Sequence, residues 1–271
     1  PKAERALVGN FYAACMDEAA VEKAGAAPLA PWLAEIDRVT DPATLFAAAG
    51  RLHRAGADTL FGVATLPDFK HPELEILFLV QAGLGLAERD YYVSADPRKQ
   101  ELLVKYEAHV ARMLGLLGAP AERAAADARA IVAFESELAR ASRTNTEMRQ
   151  IEKLYHRVDP AGLQQVAPAL PWGRYFEAIG FPQIADLNVA TPEFFQALAK
   201  LTAVTPVKFD PWIATPRLCP RSPLSGAIEF MTGTPESTVK PPGNCSRLAL
   251  PWPTSTTVTV IRSRSKRRWH Q

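Results

Sequence analysis

Cysteine is scarce in this sequence: only Cys15, Cys219 and Cys245 occur, and no two are spaced as C-x-x-C. That excludes a disulfide-stapled miniprotein and a multi-cysteine zinc module. Long apolar runs are missing as well. The longest, residues 74–86, is broken by Glu75 and Gln81 and falls short of the roughly 20 residues a membrane helix needs. No membrane span is expected. The five histidines, His53, His71, His109, His156 and His270, include no pair spaced as H-E-x-x-H, so no helix carries a zinc-binding histidine pair. Each is read as a surface or capping histidine. Gly83-Leu-Gly85 lacks the third glycine and the preceding strand of a dinucleotide loop, and no P-loop lysine occurs, which leaves nucleotide binding unsupported. Residue 1 is proline rather than methionine, and no basic-then-apolar targeting segment follows it. The chain is therefore read as beginning inside a longer open frame, and its compartment is unknown from the residues alone.

What is present is a chain of 271 residues, 48% hydrophobic and 22% charged, enough to bury a sizeable core in one large domain or two modest ones. Its net charge of +2 hides an asymmetry. Residues 1–206 carry 21 Lys+Arg against 26 Asp+Glu, whereas residues 207–271 carry 10 basic groups against Asp210, Glu229 and Glu236. The second part also holds 9 of the 23 prolines and 15 Ser+Thr. Proline at that density removes backbone donors and breaks any regular period, so 207–271 reads as an irregular, disordered tail. Its closing run Arg262-Ser-Arg-Ser-Lys-Arg-Arg268 has the composition of a nucleic-acid or localisation patch. An out-of-frame translation of GC-rich DNA gives the same Pro, Arg and Ser bias, and that reading is preferred, so no nucleic-acid partner is expected.

The first part is mainly α. Leu103, Tyr106, Val110, Met113 and Leu117 form one apolar stripe on a helix that follows Pro97 and ends near Gly118. Ala124, Ala128, Ile131, Glu135, Leu138 and Ser142 repeat the pattern after Pro120, so the two helices pack as a hairpin about a Gly-Ala-Pro turn. Further helices are expected over 7–24, 28–38, 42–55, 147–157, 160–167, 171–179 and 191–203. Asp41 before Pro42 and Thr191 before Pro192 are expected to cap theirs. Residues 59–65 are a candidate strand, and 74–80 a strand or a buried helix turn.

Glu135, on an apolar stripe, is the residue that burial would perturb, with Arg143 or Arg149 as its expected partner. Glu147, Arg149, Glu152 and Lys153 read as a solvated helix face paired at helical spacing. Ser263-Arg-Ser-Lys266 and Asn244-Cys-Ser246 match an S-x-x-K motif and a glycosylation acceptor by letters only. No catalytic, metal-binding or cofactor-binding residue is assigned.

Five strings, in this order, carry a resemblance: Phe11-Tyr-Ala-Ala-Cys-Met-Asp-Glu18, Gly83-Leu-Gly-Leu-Ala-Glu-Arg-Asp-Tyr-Tyr92, Tyr106-Glu-Ala-His-Val110, Glu135-Ser-Glu-Leu-Ala-Arg-Ala-Ser142 and Glu147-Met-Arg-Gln-Ile-Glu-Lys-Leu-Tyr-His156. Trp172 and Tyr175 supply a following W-x-x-Y. Together they resemble the N-terminal region of neprilysin-like zinc metallopeptidases, over residues 11 to about 205. The resemblance implies the helical lid-type lobe of a two-lobed enzyme, which limits the size of peptide reaching a zinc in a thermolysin-like lobe. It also implies peptide substrates, a missing catalytic lobe as partner, and an extracytoplasmic setting, periplasmic or secreted. In that family the metal ligands and base lie on H-E-x-x-H and E-x-x-x-D, and this sequence contains neither. Zinc therefore belongs to the parent family and is not expected on this chain. The family's Arg-Asp is Arg149-Gln150 here, its opening segment is incomplete, and the likeness stops after Pro206, apart from scraps at 224–226 and 232–236. Cys15 falls on a family position and is expected as a buried thiol. The competing reading is a stand-alone helical binding module whose basic tail contacts nucleic acid or an acidic surface. A third is a lid lobe that binds peptides without cutting them.

Overall fold

The computed structural model describes residues 6, 9, 10, 12, 17–57 and 59–204. Cys15 and the tail from 205 onward, with its basic run and its two letter-only motifs, lie outside the described residues. In chain order come α1 (Glu18–Ala24), a 3-10 turn (Ala27–Leu29), α2 (Ala30–Ile36), α3 (Pro42–Arg54), β1 (Phe61–Pro67), β2 (Glu75–Gln81), α4 (Asp90–Val93), α5 (Pro97–Leu116) and α6 (Ala121–Ala141). Two 3-10 turns follow (Glu147–Arg149 and Ile151–Leu154), then β3 (Arg157–Val158), α7 (Pro160–Val166), α8 (Trp172–Ile179), β4 (Leu187–Val189) and α9 (Pro192–Val204). The fold is mainly helical, as the periodicity predicts.

Proline sets several helix starts, because its fixed φ suits the first turn and the donor it lacks has no partner there anyway. Asp41 accepts hydrogen bonds from the amides of Ala43 (2.7 Å) and Thr44 (2.9 Å), and Thr44 closes a reciprocal box with the Asp41 amide. Asp96 and Asp159 cap α5 and α7 in the same way, through the amides of Arg98 and Gly162. Thr191 departs from the expectation. Its hydroxyl is buried without a hydrogen-bond partner and caps nothing.

The segment 147–157, expected as one helix, is two short 3-10 turns leading into β3. Gln150 between them takes φ −87°, ψ 76°, which interrupts the helical path. The pairing expected at helical spacing is accordingly missing. Glu147 accepts instead from the amide (2.8 Å) and hydroxyl (2.7 Å) of Thr144, and among the described residues no ion pair joins Glu147, Arg149, Glu152 and Lys153. All four are exposed, as a solvated face requires.

The strands form one sheet in the order β1-β2-β4-β3. β1 and β2 are an antiparallel hairpin with Phe61 opposite Gln81 and Pro67 opposite Glu75. β4 runs parallel to β2, Leu77 beside Leu187 and Leu79 beside Val189, and β3 pairs antiparallel with β4. Asn188, fully buried in β4, donates to the Leu154 carbonyl (2.8 Å) and accepts from the His156 amide (2.6 Å), fixing the approach to β3.

Among the described residues two large apolar cores result, beside a small cluster of Ile36, Leu52 and Ala57. The main one gathers Phe46 of α3, Phe61 and Leu79 of the sheet, Leu163 of α7, Trp172 and Tyr175 of α8, and Phe194 and Phe195 of α9. Its rings meet edge-on or tilted: Phe46–Trp172 at 5.6 Å, Phe61–Tyr175 at 4.9 Å and Phe61–Phe195 at 5.6 Å. Each such pair adds about 0.5–1.5 kcal/mol to the burial of its surface. Gly50 lets α3 and α8 touch, since a Cβ there would lie 2.7 Å from the Ala178 Cβ and 2.9 Å from the Tyr175 carbonyl. The second core lies between α5 and α6, where Tyr106, Val110 and Met113 meet Ala124, Ala128 and Val132, with Leu86 and Tyr92 added from the preceding segment. Leu84 packs against both.

Candidate functional site

Glu135 lies in the buried stripe of α6, on the floor of the second core. Burial of an unpaired carboxylate is costly, so a residue kept there needs donors. The structure supplies tyrosines rather than the expected arginines. Tyr92 Oη donates to Glu135 Oε2 at 2.7 Å, and Tyr106 Oη donates to Oε1 at 3.1 Å. The Gly85 amide adds a further hydrogen bond, and the Leu86 amide donates to Tyr92 Oη at 2.8 Å. All three side chains are buried. Gly85 is required by the crowding, since a Cβ there would sit 1.8 Å from Tyr106 Oη.

Burial pushes the Glu135 carboxyl up to about 7, against the opposing effect of its hydrogen bonds from Tyr92, Tyr106 and Gly85. Burial, and then the Glu135 charge, drive the Tyr92 phenol far above its ordinary value, so it stays a donor at any working pH.

Arg143 and Arg149 are engaged or exposed elsewhere. Arg143 pairs with Glu193 and donates to the Lys153 carbonyl (2.7 Å), while its backbone exchanges two 2.8 Å hydrogen bonds with the Gln81 side chain. Arg149 is exposed. Sequence spacing predicts the wrong partners because the tyrosines come from 43 and 29 residues away. The available signal was the Tyr-Tyr pair closing the Gly83–Tyr92 string, joined to Tyr106 on the facing stripe.

A second polar cluster ties the far end of the β1–β2 hairpin to the strands beyond it. Asp68, fully buried, receives Arg157 Nη1 at 2.6 Å, Tyr155 Oη at 3.3 Å and the Lys70 amide at 2.8 Å. Burial works against its ionisation, and those hydrogen bonds with the Arg157 charge outweigh it, holding the carboxyl below its usual range. Arg157 also bonds Asp186, through Nε at 3.0 Å. Asp68 was not singled out from the sequence.

His53, His109 and His156 correct the surface-or-cap reading, and His71 keeps it. His53 is half-buried and bridges Tyr175 Oη (2.8 Å) and the Thr59 carbonyl (3.0 Å), joining α3 to α8 and to the start of β1. His109 is buried on α5, and burial with the nearby Arg112 charge lowers its pKa. His156 faces the Val189 carbonyl at 3.0 Å. His71 is exposed beside Glu73, and His270 lies outside the described residues. His53 is at home inside the fold because both its ring nitrogens have partners, one of them, Tyr175, 122 residues away.

Among the described residues no three of His, Cys, Asp and Glu gather where a metal ion could be held. No helix among them is long and apolar enough to cross a membrane.

The comparisons with known proteins agree with this architecture. The family model described as Peptidase family M13 matches residues 1–212. The chain belongs to peptidase family M13. Among M13 relatives, endothelin-converting enzyme 1 of Bos taurus is 29% identical over 192 residues, covering 67% of this chain and 25% of that protein. Neprilysin-2 of Caenorhabditis elegans is 29% identical over 132 residues, 49% of this chain and 17% of its own. The crystal structure of the Mycobacterium tuberculosis zinc metalloprotease Zmp1 in complex with inhibitor superposes with a TM-score of 0.75 at 31% identity, over 83% of this chain and 36% of that one. This M13 chain thus spans about a quarter of the length of endothelin-converting enzyme 1. Its match is to the family's N-terminal part, and its relation is to a metallopeptidase.

Proposed function

We propose that residues 1–206 are the covering lobe of a zinc endopeptidase, and that this chain by itself does not hydrolyse peptides. In this reading the lobe limits the size of peptide that reaches a zinc carried by a separate catalytic lobe, which is its principal partner. The parent enzyme cleaves oligopeptides outside the cytoplasm, in the periplasm or after secretion. Residues 207–271, rich in proline, serine, threonine and arginine, are a separate tail.

The observation that carries the reading is the M13 match over residues 1–212 in a sequence with neither H-E-x-x-H nor E-x-x-x-D. Peptide hydrolysis of this class needs a Lewis acid and a general base, and the chain supplies neither. The test is to load the purified 271-residue chain with zinc, remove the excess, and assay a quenched fluorescent peptide with and without chelator. No retained metal and no chelator-sensitive cleavage are expected. One zinc held per chain, together with cleavage that the chelator stops, would overturn the inactive-lobe reading.

A further inference from the structure

We propose that Tyr92, Glu135 and Tyr106 form a proton-operated latch, which fastens the segment 83–93 to the α5–α6 hairpin in acid and releases it as the pH rises past neutrality. The latch uses only this chain's own residues and stands apart from the peptidase reading.

Apolar and polar contacts together hold the segment down. Leu84 touches both cores, and Leu86 and Tyr92 are buried in the second. Its buried polar attachments converge on one carboxylate: Tyr92 Oη and the Gly85 amide bond Glu135 directly, and the Leu86 amide reaches it through Tyr92. Tyr106 clamps the same carboxylate from α5. The segment's other ties are one part-buried hydrogen bond, Arg89 Nε to the Ala139 carbonyl at 3.1 Å, and contacts nearer the surface, Asn145 to Glu88, Arg89 to Asp90 at 3.6 Å and Lys99 to Asp90 at 3.7 Å. The ion pairs among them, open to solvent on the Asp90 side, hold weakly.

Among the described residues no cation balances Glu135. From α4 it meets Tyr92, from α5 Tyr106, and from the loop the Gly85 amide. His109, one turn beyond Tyr106, lies beside Arg112 (3.3 Å). Arg89 reaches the Ala139 carbonyl rather than the carboxylate, and on α9, which packs against α6, Glu193 pairs with Arg143. Among the described residues Glu135 enters no ion pair within 4.0 Å.

A charge met only by dipoles in a buried site is poorly solvated, and undocking the segment returns it to water. The docked state therefore holds a proton that the undocked state gives up. Acid favours docking, and alkali favours release. Gly83, at φ +84°, supplies a turn at one end of the segment about which it moves.

The test is hydrogen exchange on the full chain, with protection factors compared at about pH 5 and about pH 8. Protection of amides 84–93 is expected to fall by about tenfold or more, while amides of β2 and α8 hold steady. Glu135→Gln is expected to abolish the pH-dependent fall. Should that variant fail to fold, Tyr106→Phe removes one donor to the ionised form and is expected to move the midpoint of the fall to lower pH if Tyr106 prefers the acid, and to higher pH if it prefers the carboxylate; the latch requires the higher-pH shift. Overturning results are a fall spread evenly over both cores, no fall at all, a fall that persists in Glu135→Gln, or an unmoved or lower midpoint in Tyr106→Phe.

Discussion

At the scale of single residues, the structure sets a crowded glycine against an idle hydroxyl. Gly85→Ala places a methyl on Tyr106 Oη, so either the tyrosine leaves Glu135 or the loop lifts. A loss of about 1–3 kcal/mol is expected, the usual range for overpacking, read as a lowered denaturant midpoint with an unchanged slope. A variant as stable as the parent would show that the loop tolerates the shift without cost. Thr191 presents the opposite case. Its hydroxyl is buried without a partner, so Thr191→Val removes a polar group that gains nothing from burial. Stabilisation of about 1 kcal/mol is expected. A loss of stability on that replacement would mean the hydroxyl has a role that the static arrangement does not reveal.

At the scale of elements, legibility followed length and period. α5 and α6 declare themselves through stripes that recur every three or four residues over 20 and 21 positions, and the structure buries most of each stripe, with Leu103, Leu117 and Ile131 half-buried. β3 and β4 are two and three residues long, too short for any alternation to register, and their places depend on pairing with distant segments. Residues 147–157 misled because their charges sit at helical spacing while Gln150 turns the backbone away from a helix. Glu135 was legible as a residue under strain and illegible in its partners, since nothing local points from α6 to Tyr92. The Asp-Pro starts were the dependable punctuation. At α7, Asp159→Ala removes the bond to the Gly162 amide and is expected to cost about 1 kcal/mol, measurable by chemical denaturation. An unchanged midpoint would mean water replaces that cap at no cost.

At the scale of the whole molecule, the charge asymmetry and the proline density divide the chain near residue 206. If the tail contributes nothing to the core, a chain cut after Pro206 is expected to melt at the same temperature, and as cooperatively, as the full 271 residues, by calorimetry. A lower or broadened transition would make residues 207–271 part of the folded unit.

The strand order has a consequence for how the protein is made. Among the described residues β4 is the last strand, yet it lies between β2 and β3. On the ribosome, the β1–β2 hairpin emerges with the inner edge of β2 bare, and both long helices are synthesised before the strand that covers it arrives. An uncovered strand edge invites pairing with a neighbouring chain. The nascent polypeptide thus passes through an interval in which that edge is open to pairing with a neighbouring chain, and a stop before Leu187 is expected to release a chain prone to aggregate.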